Sequence, residues 1–322
     1  MRSLSGASRS IAAMLTVGCL TACTQVGELK ARKAYKAANQ AYQAQDYKKA
    51  SELYAEVIEA APETQQAHQA YFFLGNSYDN LYKPSKKGDA DNDQLLNKAV
   101  DNYQKAAETL STSNDATDKT LAKRSLEFLV NTYGAEKLND PGKAEPVLQK
   151  MIQQDPSDPA NYFQLAKLYE DAGAYDAAEQ MYTKGRDAKP GDSAGYMQLA
   201  GYYNRQGQFD KTIEALEQRA SKEPNNPEAY YTISTFYWDK AFRDARLKES
   251  DKKDYVQKGI QAVDHALQIK PDYAEALVYK GLLLRLQANM EKDPKKQQDL
   301  LKEADKLRDR ANDLRKKTAS GT

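Results

Sequence analysis

The side chains best placed to do chemistry in this sequence are three alternating carboxylates, Asp89, Asp91 and Asp93. Oxygen ligands at alternate positions open a calcium-binding loop, so this segment could hold a divalent cation. The rest of such a loop is missing, because Gln94 stands where the turn needs glycine and Val100 where a bidentate glutamate is needed. The same carboxylates can instead cap a helix that starts near Gln94. We therefore predict a helix cap and no metal site.

The sequence contains no recognisable set of catalytic residues. Its two histidines, His68 and His265, are far apart on predicted helix surfaces, and neither a phosphate-binding loop nor a zinc-binding helix motif is present. Acidic residues are abundant, but they are spread over faces that are expected to be solvated. We therefore predict that the protein is not an enzyme and has no cofactor.

Charge and hydropathy argue against a nucleic-acid partner and against a membrane-spanning helix after residue 22. Lys and Arg total 47 against 46 Asp and Glu in 322 residues, and the charges are spread along the chain. Such a balance creates no field that would attract a phosphate backbone, so we expect no nucleic-acid partner. After residue 22, no apolar run approaches the roughly 20 residues that a membrane-spanning helix requires.

The amino terminus has the organisation of a secretory signal. Two arginines flank a short polar stretch, and the apolar segment 11–20 that follows is too short to span a bilayer. The motif Leu-Thr-Ala-Cys at residues 20–23 resembles the lipobox of bacterial lipoproteins. This resemblance implies that residues 1–22 are removed and that Cys23 becomes the lipidated first residue. A short tether, residues 23–30, would then join the lipid to the folded part.

Cys19 is the alternative lipid acceptor. Thr16 would then stand where a lipobox has a branched apolar residue, so Cys23 fits the motif better. Thr24 follows Cys23, and in Gram-negative lipoproteins a residue other than Asp at this position implies transfer to the outer membrane. The resemblance therefore implies an exported protein that faces the periplasm and contacts the outer membrane through its lipid alone.

Aromatic, apolar, small and proline residues recur at an interval of 34 residues in the middle of the chain. The columns are Tyr162, Tyr196 and Tyr230; Leu165, Leu199 and Ile233; Ala166, Ala200 and Ser234; Tyr169, Tyr203 and Tyr237; and Pro156, Pro190 and Pro224. Several independent columns at one period indicate a repeat protein in which each unit packs against its neighbours.

This pattern resembles the tetratricopeptide repeat. Apolar positions recur every three or four residues within each unit, which predicts two antiparallel helices per unit and an all-α fold. The resemblance implies a right-handed superhelical solenoid of about six to seven helix pairs over residues 31–290. The units lie near residues 31–64, 68–113, 123–158, 159–192, 193–226, 227–273 and from 274 onward.

Two units carry insertions, and the last segment differs from a repeat unit. The insertion in the second unit contains Pro84 and Gly88 and is predicted to be a loop, whereas the other insertion precedes Gly259. Residues 291–322 have one apolar stripe opposite dense charge, which predicts a capping helix and a tail. A coiled-coil helix for a partner is the alternative. The stripe consists of Leu301, Ala304, Leu307, Ala311 and Leu314.

In tetratricopeptide repeat proteins the first helix of each unit lines a concave groove. The resemblance implies that the second, fifth, ninth, twelfth and thirteenth residues of a unit face this groove. The candidates are Tyr35, Phe72, Phe163, Met197 and Tyr231 at fifth positions, Lys167 at a ninth, Tyr42, Asp79 and Trp238 at twelfth positions and Arg205 at a thirteenth. Exposed aromatic residues in a groove are typical of binding hot spots. Packing against a neighbouring helix is the alternative for each aromatic residue.

Asparagine occupies the ninth position of the first three units, at Asn39, Asn76 and Asn131. Its amide matches both the donor and the acceptor of a peptide bond. Similar asparagine ladders in tetratricopeptide repeat proteins hold extended peptides by their backbone, so the resemblance implies a peptide site in this half of the groove. The alternative is that these asparagines are tolerated exposed helix residues.

These observations predict a non-enzymatic scaffold that binds protein or extended-peptide partners in the bacterial envelope. One alternative is a pilot or structural component of a secretion or pilus machine. Another is a hydrolase of envelope polymers, which would require a buried pair of carboxylates.

Overall fold

The structure is a computed structural model that describes the backbone of residues 7–320 and the side chains of residues 25–318. This part of the chain consists of helices and connecting turns, with no strand. The all-α prediction is therefore confirmed. The predicted signal sequence, residues 1–22, and the lipid acceptor Cys23 lie outside the residues whose side chains are described.

The chain divides into two compact units, of which the first is Met1–Pro156. Its helices pack in pairs of sequence neighbours, and each pair packs against the next. The first helix already includes residues 23–30, which were expected to form a tether; no proline occurs between residues 7 and 43 to interrupt it. The helices are α1 (Ala7–Gln43), α2 (Tyr47–Ala60), α3 (Gln65–Leu81), α4 (Ala90–Leu110), α5 (Ala116–Tyr133) and α6 (Pro141–Gln154).

The second unit, Ser157–Thr322, repeats the same arrangement. Paired helices contact each other most extensively, and successive pairs stack through their second and first helices. The helices are α7 (Pro159–Asp171), α8 (Tyr175–Ala188), α9 (Ser193–Arg205), α10 (Phe209–Lys222), α11 (Pro227–Arg243), α12 (Glu249–Ile269), α13 (Ala274–Asn289) and α14 (Pro294–Ser320).

Acidic caps fix many of the helix starts. Asp46, Asp115, Asp140, Asp158 and Asp192 each precede a helix and accept a hydrogen bond from a backbone amide of its first turn. Proline begins α6, α7 and α11, where its missing amide costs no helical hydrogen bond. Local sequence therefore sets these boundaries.

The turn inside several helix pairs requires a left-handed backbone. Gly173 and Gly207 have φ values of +75° and +69° in the turns that follow α7 and α9. Gln45 adopts the same conformation, with a φ of 60°, between α1 and α2. Because a side chain is disfavoured in this region, Gln45 is a point of local strain.

Small residues allow the paired helices to approach closely. Ala38, Ala166 and Ala178, which the repeat pattern places at these contacts, are fully buried. A Cβ added to Gly75 would lie 3.1 Å from the carbonyl oxygen of Ala99 on the neighbouring helix. The core therefore follows the small-residue columns of the sequence.

Both insertions lengthen the helices of their pair: α3 and α11 have 17 residues each, and α4 and α12 have 21 each. The first forms the predicted loop between α3 and α4, and Asn92 holds that loop. The Asn92 amide donates to the carbonyls of Lys83 and Lys86 at 3.1 Å each, and its oxygen accepts from the Lys83 amide at 2.9 Å. The second insertion leaves a shorter connection, residues 244–248, between α11 and α12.

The last helix, α14, covers the end of the second unit. It packs on α13 and buries Ala304, Leu307 and Ala311, so its apolar stripe is used within the chain as the cap prediction requires. Gly281 of α13 lets the two helices approach, because an added Cβ would lie 3.2 Å from the Ala304 carbonyl oxygen. Among the helices described, none combines the length and the apolar character needed to cross a bilayer.

Candidate binding surface

Aromatic side chains of α11 and α13, together with Tyr273 just before α13, form a continuous surface in the second unit. This aromatic cluster consists of Tyr231, Trp238, Phe242, Tyr273 and Tyr279. Trp238 stacks on Phe242 with ring centroids 4.9 Å apart and an angle of 11° between the planes. It also meets Tyr279 edge to face at 5.6 Å, and Tyr231 contacts Tyr279 and Tyr273 at 5.3 and 5.2 Å. Tyr279 thus joins the two predicted residues, Tyr231 and Trp238.

Helical spacing and the second insertion explain this assembly. Tyr231, Trp238 and Phe242 are separated by seven and four residues on α11 and therefore share one face. α7 and α9 have 13 residues each, and a first helix of that length would end before Phe242. The extension of α11 therefore adds this ring to the cluster. The i, i+4 relation to Trp238 is the sequence signal that could have identified Phe242.

The cluster offers both an apolar face and a hydrogen-bond donor. Phe242 is 58% exposed, which makes it one of the most exposed large apolar side chains described, and Trp238 and Tyr231 are half-buried. Burial, together with the neighbouring Tyr279 and Tyr273, raises the pKa of Tyr231 to about 12. The Tyr231 hydroxyl therefore stays protonated at neutral pH. Flat rings beside a hydroxyl suit a protein partner that presents an apolar side chain.

Charged candidates of the second unit are engaged within the chain. Arg205 donates two hydrogen bonds to Glu170, at 2.7 and 2.9 Å, and the Tyr182 hydroxyl donates to the same carboxylate at 2.9 Å. The hydrogen bond from Arg205 is the main cause that lowers the pKa of Glu170. Lys167 forms an exposed ion pair with Asp171 one turn away on α7. Arg205 therefore links α9 to α7, while Lys167 remains at the surface.

Phe163 and Met197 are half-buried packing residues. The Phe163 ring covers Gly185, where an added Cβ would overlap it. The Met197 sulfur accepts a hydrogen bond of 3.1 Å from the largely buried Arg219. Each of these two side chains therefore has a structural partner in the neighbouring helix.

In the first unit, Asn76 lies inside a hydrogen-bond network. Its side-chain oxygen accepts from the Tyr42 hydroxyl at 2.6 Å and from the Asn80 amide at 2.8 Å. Its own amide donates to the Tyr103 hydroxyl at 3.3 Å, and the residue is only 5% exposed. The expectation that Asn76 faces a bound peptide is therefore corrected, because its polar atoms are already paired in the core.

Phe72 requires the same correction. It is 3% exposed, and its ring contacts those of Phe73, Tyr103 and Phe128 at 5.2, 6.0 and 5.7 Å. Phe72 therefore packs against neighbouring helices, which is the alternative stated for the aromatic candidates.

The remaining candidates of the first unit differ in environment. The half-buried Asn39 accepts a hydrogen bond of 2.7 Å from Tyr54, whereas Asn131 is exposed on α5. Tyr35 donates to Gln69 at 2.9 Å. The carboxylate of Asp79 is 7% exposed and binds Lys137 at 2.6 Å. The three asparagines therefore do not present equivalent amides.

The acidic segment after the first insertion caps α4. Asp89 accepts hydrogen bonds of 3.1 Å from the amides of Asp91 and Asn92, and Asp93 accepts one of 2.9 Å from Gly88. The helix begins at Ala90, slightly earlier than predicted. The described residues contain no group of three or more His, Cys, Asp or Glu side chains that could hold a metal ion.

Asp118 is a buried carboxylate with a structural environment. Its oxygens accept hydrogen bonds from Gln69 at 2.6 Å, Ser113 at 2.7 Å and Gln65 at 3.0 Å. Burial alone would raise the pKa of Asp118, but these hydrogen bonds outweigh burial and lower it. The group therefore ties α5 to α3 as a stable anion.

Between residues 7 and 320 the chain consists of stacked helix pairs without strands, which is the architecture of helical repeat proteins. Residues 136–200 match the sequence profile of the tetratricopeptide repeat. This part of the chain therefore carries tetratricopeptide repeat sequence, and the described residues have the all-α repeat fold. A search of curated proteins found no match.

Several solved structures with a similar arrangement are described as tetratricopeptide repeat proteins. The C-terminal part of one from Cytophaga hutchinsonii is 16% identical, with a TM-score of 0.52, over 87% of this chain and 98% of the other. A protein from Parabacteroides merdae is 14% identical, with a TM-score of 0.45, over 86% and 99% of the two chains. YrrB, described as a protein with an unusual peptide-binding site, is 18% identical, with a TM-score of 0.38, over 62% and 89%.

Proposed function

We propose that this protein is a non-enzymatic scaffold that binds a protein partner through the aromatic cluster of α11 and α13. The observation that carries this proposal is the stacked pair of Trp238 and Phe242, whose outer ring is 58% exposed. Burying these rings against a partner removes apolar surface from water, and aromatic residues contribute strongly to binding at such positions. Tetratricopeptide repeat proteins are typically scaffolds of this kind.

The site can be tested in cells with a photoreactive phenylalanine analogue at position 238. We expect one or a few defined crosslinked products. The matched control is the same analogue at Tyr175, an aromatic residue that is 50% exposed outside the aromatic cluster. Identical products from both positions, or none from position 238, would contradict a partner at the cluster.

We further propose that lipid on Cys23 anchors the scaffold to the outer membrane on its periplasmic side. The motif at residues 20–23 and Thr24 support this assignment. Durable anchoring requires more than one acyl chain, and bacterial lipoproteins of the type that this motif resembles carry several. Metabolic labelling with an alkyne fatty acid should mark the wild type and Cys19→Ser but not Cys23→Ser. Label retained by Cys23→Ser would refute the assignment.

A further inference from the structure

A cleft of about 700 Å³ lies in the second unit between α10 and α12, with α11 as its floor. Tyr230, Ile233 and Tyr237 form the floor at spacings of three and four residues on α11. The volume is within the range of ligand-binding clefts, roughly 300 to 1,000 Å³. Tyr230 and Tyr237 each precede a residue of the aromatic cluster by one position, so the cleft uses another face of α11.

Aromatic contacts support both ends of the cleft. At one end, Phe209 of α10 contacts Tyr255 of α12 at 5.1 Å and Tyr237 at 5.7 Å. At the other end, the His265 ring stacks on Tyr230 at 3.9 Å with an angle of 5° between the planes. These contacts shape the cleft from within the unit.

The wall formed by α10 is acidic. Asp210, Glu214 and Glu217 follow one another at four and three residues, so they form one stripe along the cleft. None of these three carboxylates forms an ion pair with a cation of the described residues. Lys258 on the α12 wall is already paired with Asp254 at 2.8 Å. The cleft therefore combines an apolar floor with negative charge that a ligand can neutralise.

The geometry favours a helix over an extended strand. The floor and the acidic stripe each extend over seven residues of a helix, which corresponds to about 10 Å or two turns. A helix satisfies its own backbone hydrogen bonds and presents apolar residues on one face at the same spacings of three and four. An extended peptide would direct alternate side chains away from the floor.

From these contacts we propose that the cleft between α10 and α12 docks a basic amphipathic helix of a partner protein. The apolar face of that helix lies on the half-buried rings of Tyr230, Phe209 and Tyr255, above the buried Ile233 and Tyr237 at the base of the cleft. Its Lys or Arg side chains pair with Asp210, Glu214 and Glu217. This is a second surface, separate from the aromatic cluster.

A synthetic helical peptide of about 15 residues tests the proposal with the full chain. The probe carries Leu at positions i, i+3, i+4 and i+7 and Lys on both flanks, and a matched peptide has Glu in place of Lys. Fluorescence polarisation should show saturable binding of the Lys peptide, weakened by salt, and much weaker binding of the Glu peptide. Equal binding of both peptides, or none, overturns the proposal.

Variants of residues that line the cleft test whether the probe peptide binds there. The charge variant Glu214→Gln/Glu217→Gln and the filling variant Ala262→Trp should each weaken binding by about tenfold or more. Asp299→Asn/Glu303→Gln on α14 removes the same charge from an exposed surface and should leave binding unchanged. Wild-type affinity in both cleft variants overturns the proposal. So does loss of probe binding in Phe242→Ala, because the peptide would then occupy the aromatic cluster.

The two histidines show where the probe peptide binds without the need for a variant. On titration, the ring resonances of His265, at the cleft, should shift in the NMR spectrum, and those of His68 in the other unit should not. Unchanged His265 resonances overturn the proposal. If the chain self-associates and Ala262→Trp abolishes that self-association, the proposal is also overturned, because the cleft would then hold a second copy of the chain.

Discussion

Two glycines of α9 provide a matched test of the close packing between helix pairs. Gly195 is buried at the contact with α8, and a Cβ added there would lie 2.9 Å from the Cα atom of Arg186. Because that atom belongs to the backbone, the two helices must separate to accept it. A Cβ added to Gly201 on the same helix would meet only the end of the Arg205 side chain, at 3.3 Å.

The expected free energies follow from two opposing effects. Gly→Ala within a helix favours folding by about 1 kcal/mol at either position. Overpacking at position 195 costs about 1 to 3 kcal/mol, because the contact is with backbone. Gly201→Ala should therefore stabilise the fold by up to about 1 kcal/mol, and Gly195→Ala should be less stable than Gly201→Ala by about 1 to 3 kcal/mol.

Thermal unfolding followed by circular dichroism measures this difference. For a chain of this size, about 1 kcal/mol corresponds to roughly 2 to 4 °C in Tm. We expect Gly195→Ala to melt at least about 2 °C below Gly201→Ala. Equal melting temperatures would refute the close backbone contact between α8 and α9.

Three further perturbations have defined outcomes. Ala178→Leu should lower the free energy of unfolding by about 1 to 3 kcal/mol in urea titrations, because Ala178 is fully buried between paired helices, and an unchanged midpoint would argue against that placement. Gln45→Gly should raise the free energy of unfolding by about 0.5 to 1 kcal/mol, because glycine relieves the positive φ. Gly173→Ala should lower the free energy of unfolding by about 1 kcal/mol, because Gly173 has open space around it but a φ of +75°. A destabilised Gln45→Gly would contradict the strain at Gln45. Asp118→Asn should lose about 1 to 3 kcal/mol at neutral pH. Because the folded pKa of Asp118 is lowered, its contribution is complete above the ordinary value of about 4 and disappears as pH falls through the lowered value. Urea midpoints of wild type and Asp118→Asn should therefore converge in acid, and a constant gap would count against the anionic anchor.

The sequence predicts the core because the repeat columns are packing positions. Leu165, Leu199 and Ile233 are 3%, 3% and 5% exposed, and the adjacent small residues Ala166 and Ala200 are buried with them. A 34-residue interval brings equivalent residues to equivalent contacts in successive pairs. No knowledge of individual neighbours is required for this inference.

The binding-surface residues are harder to predict from the sequence, because exposed and buried side chains recur at the same positions of the repeat unit. Asn76 occupies the ninth position of its unit, which predicts a residue that faces the groove. Its hydrogen-bond partners Tyr42 and Tyr103 come from other helices, and these contacts remove Asn76 from solvent. Conversely, Tyr231 and Trp238 were predicted, yet the exposed part of their cluster depends on Phe242 and therefore on the length of α11. Register within a unit does not specify which neighbour covers a side chain.

Trp238 is the single tryptophan of the chain, so its fluorescence reports on the proposed binding surface directly. The most direct test of this binding surface is a titration of the full chain with the partner identified by crosslinking, followed through the Trp238 fluorescence. We predict a saturable shift of the emission to shorter wavelength and an affinity about 30-fold weaker in Phe242→Ala, as a hot-spot loss of about 2 kcal/mol requires. Binding that leaves the wild-type emission unchanged and that Phe242→Ala does not weaken would contradict a partner at the aromatic cluster.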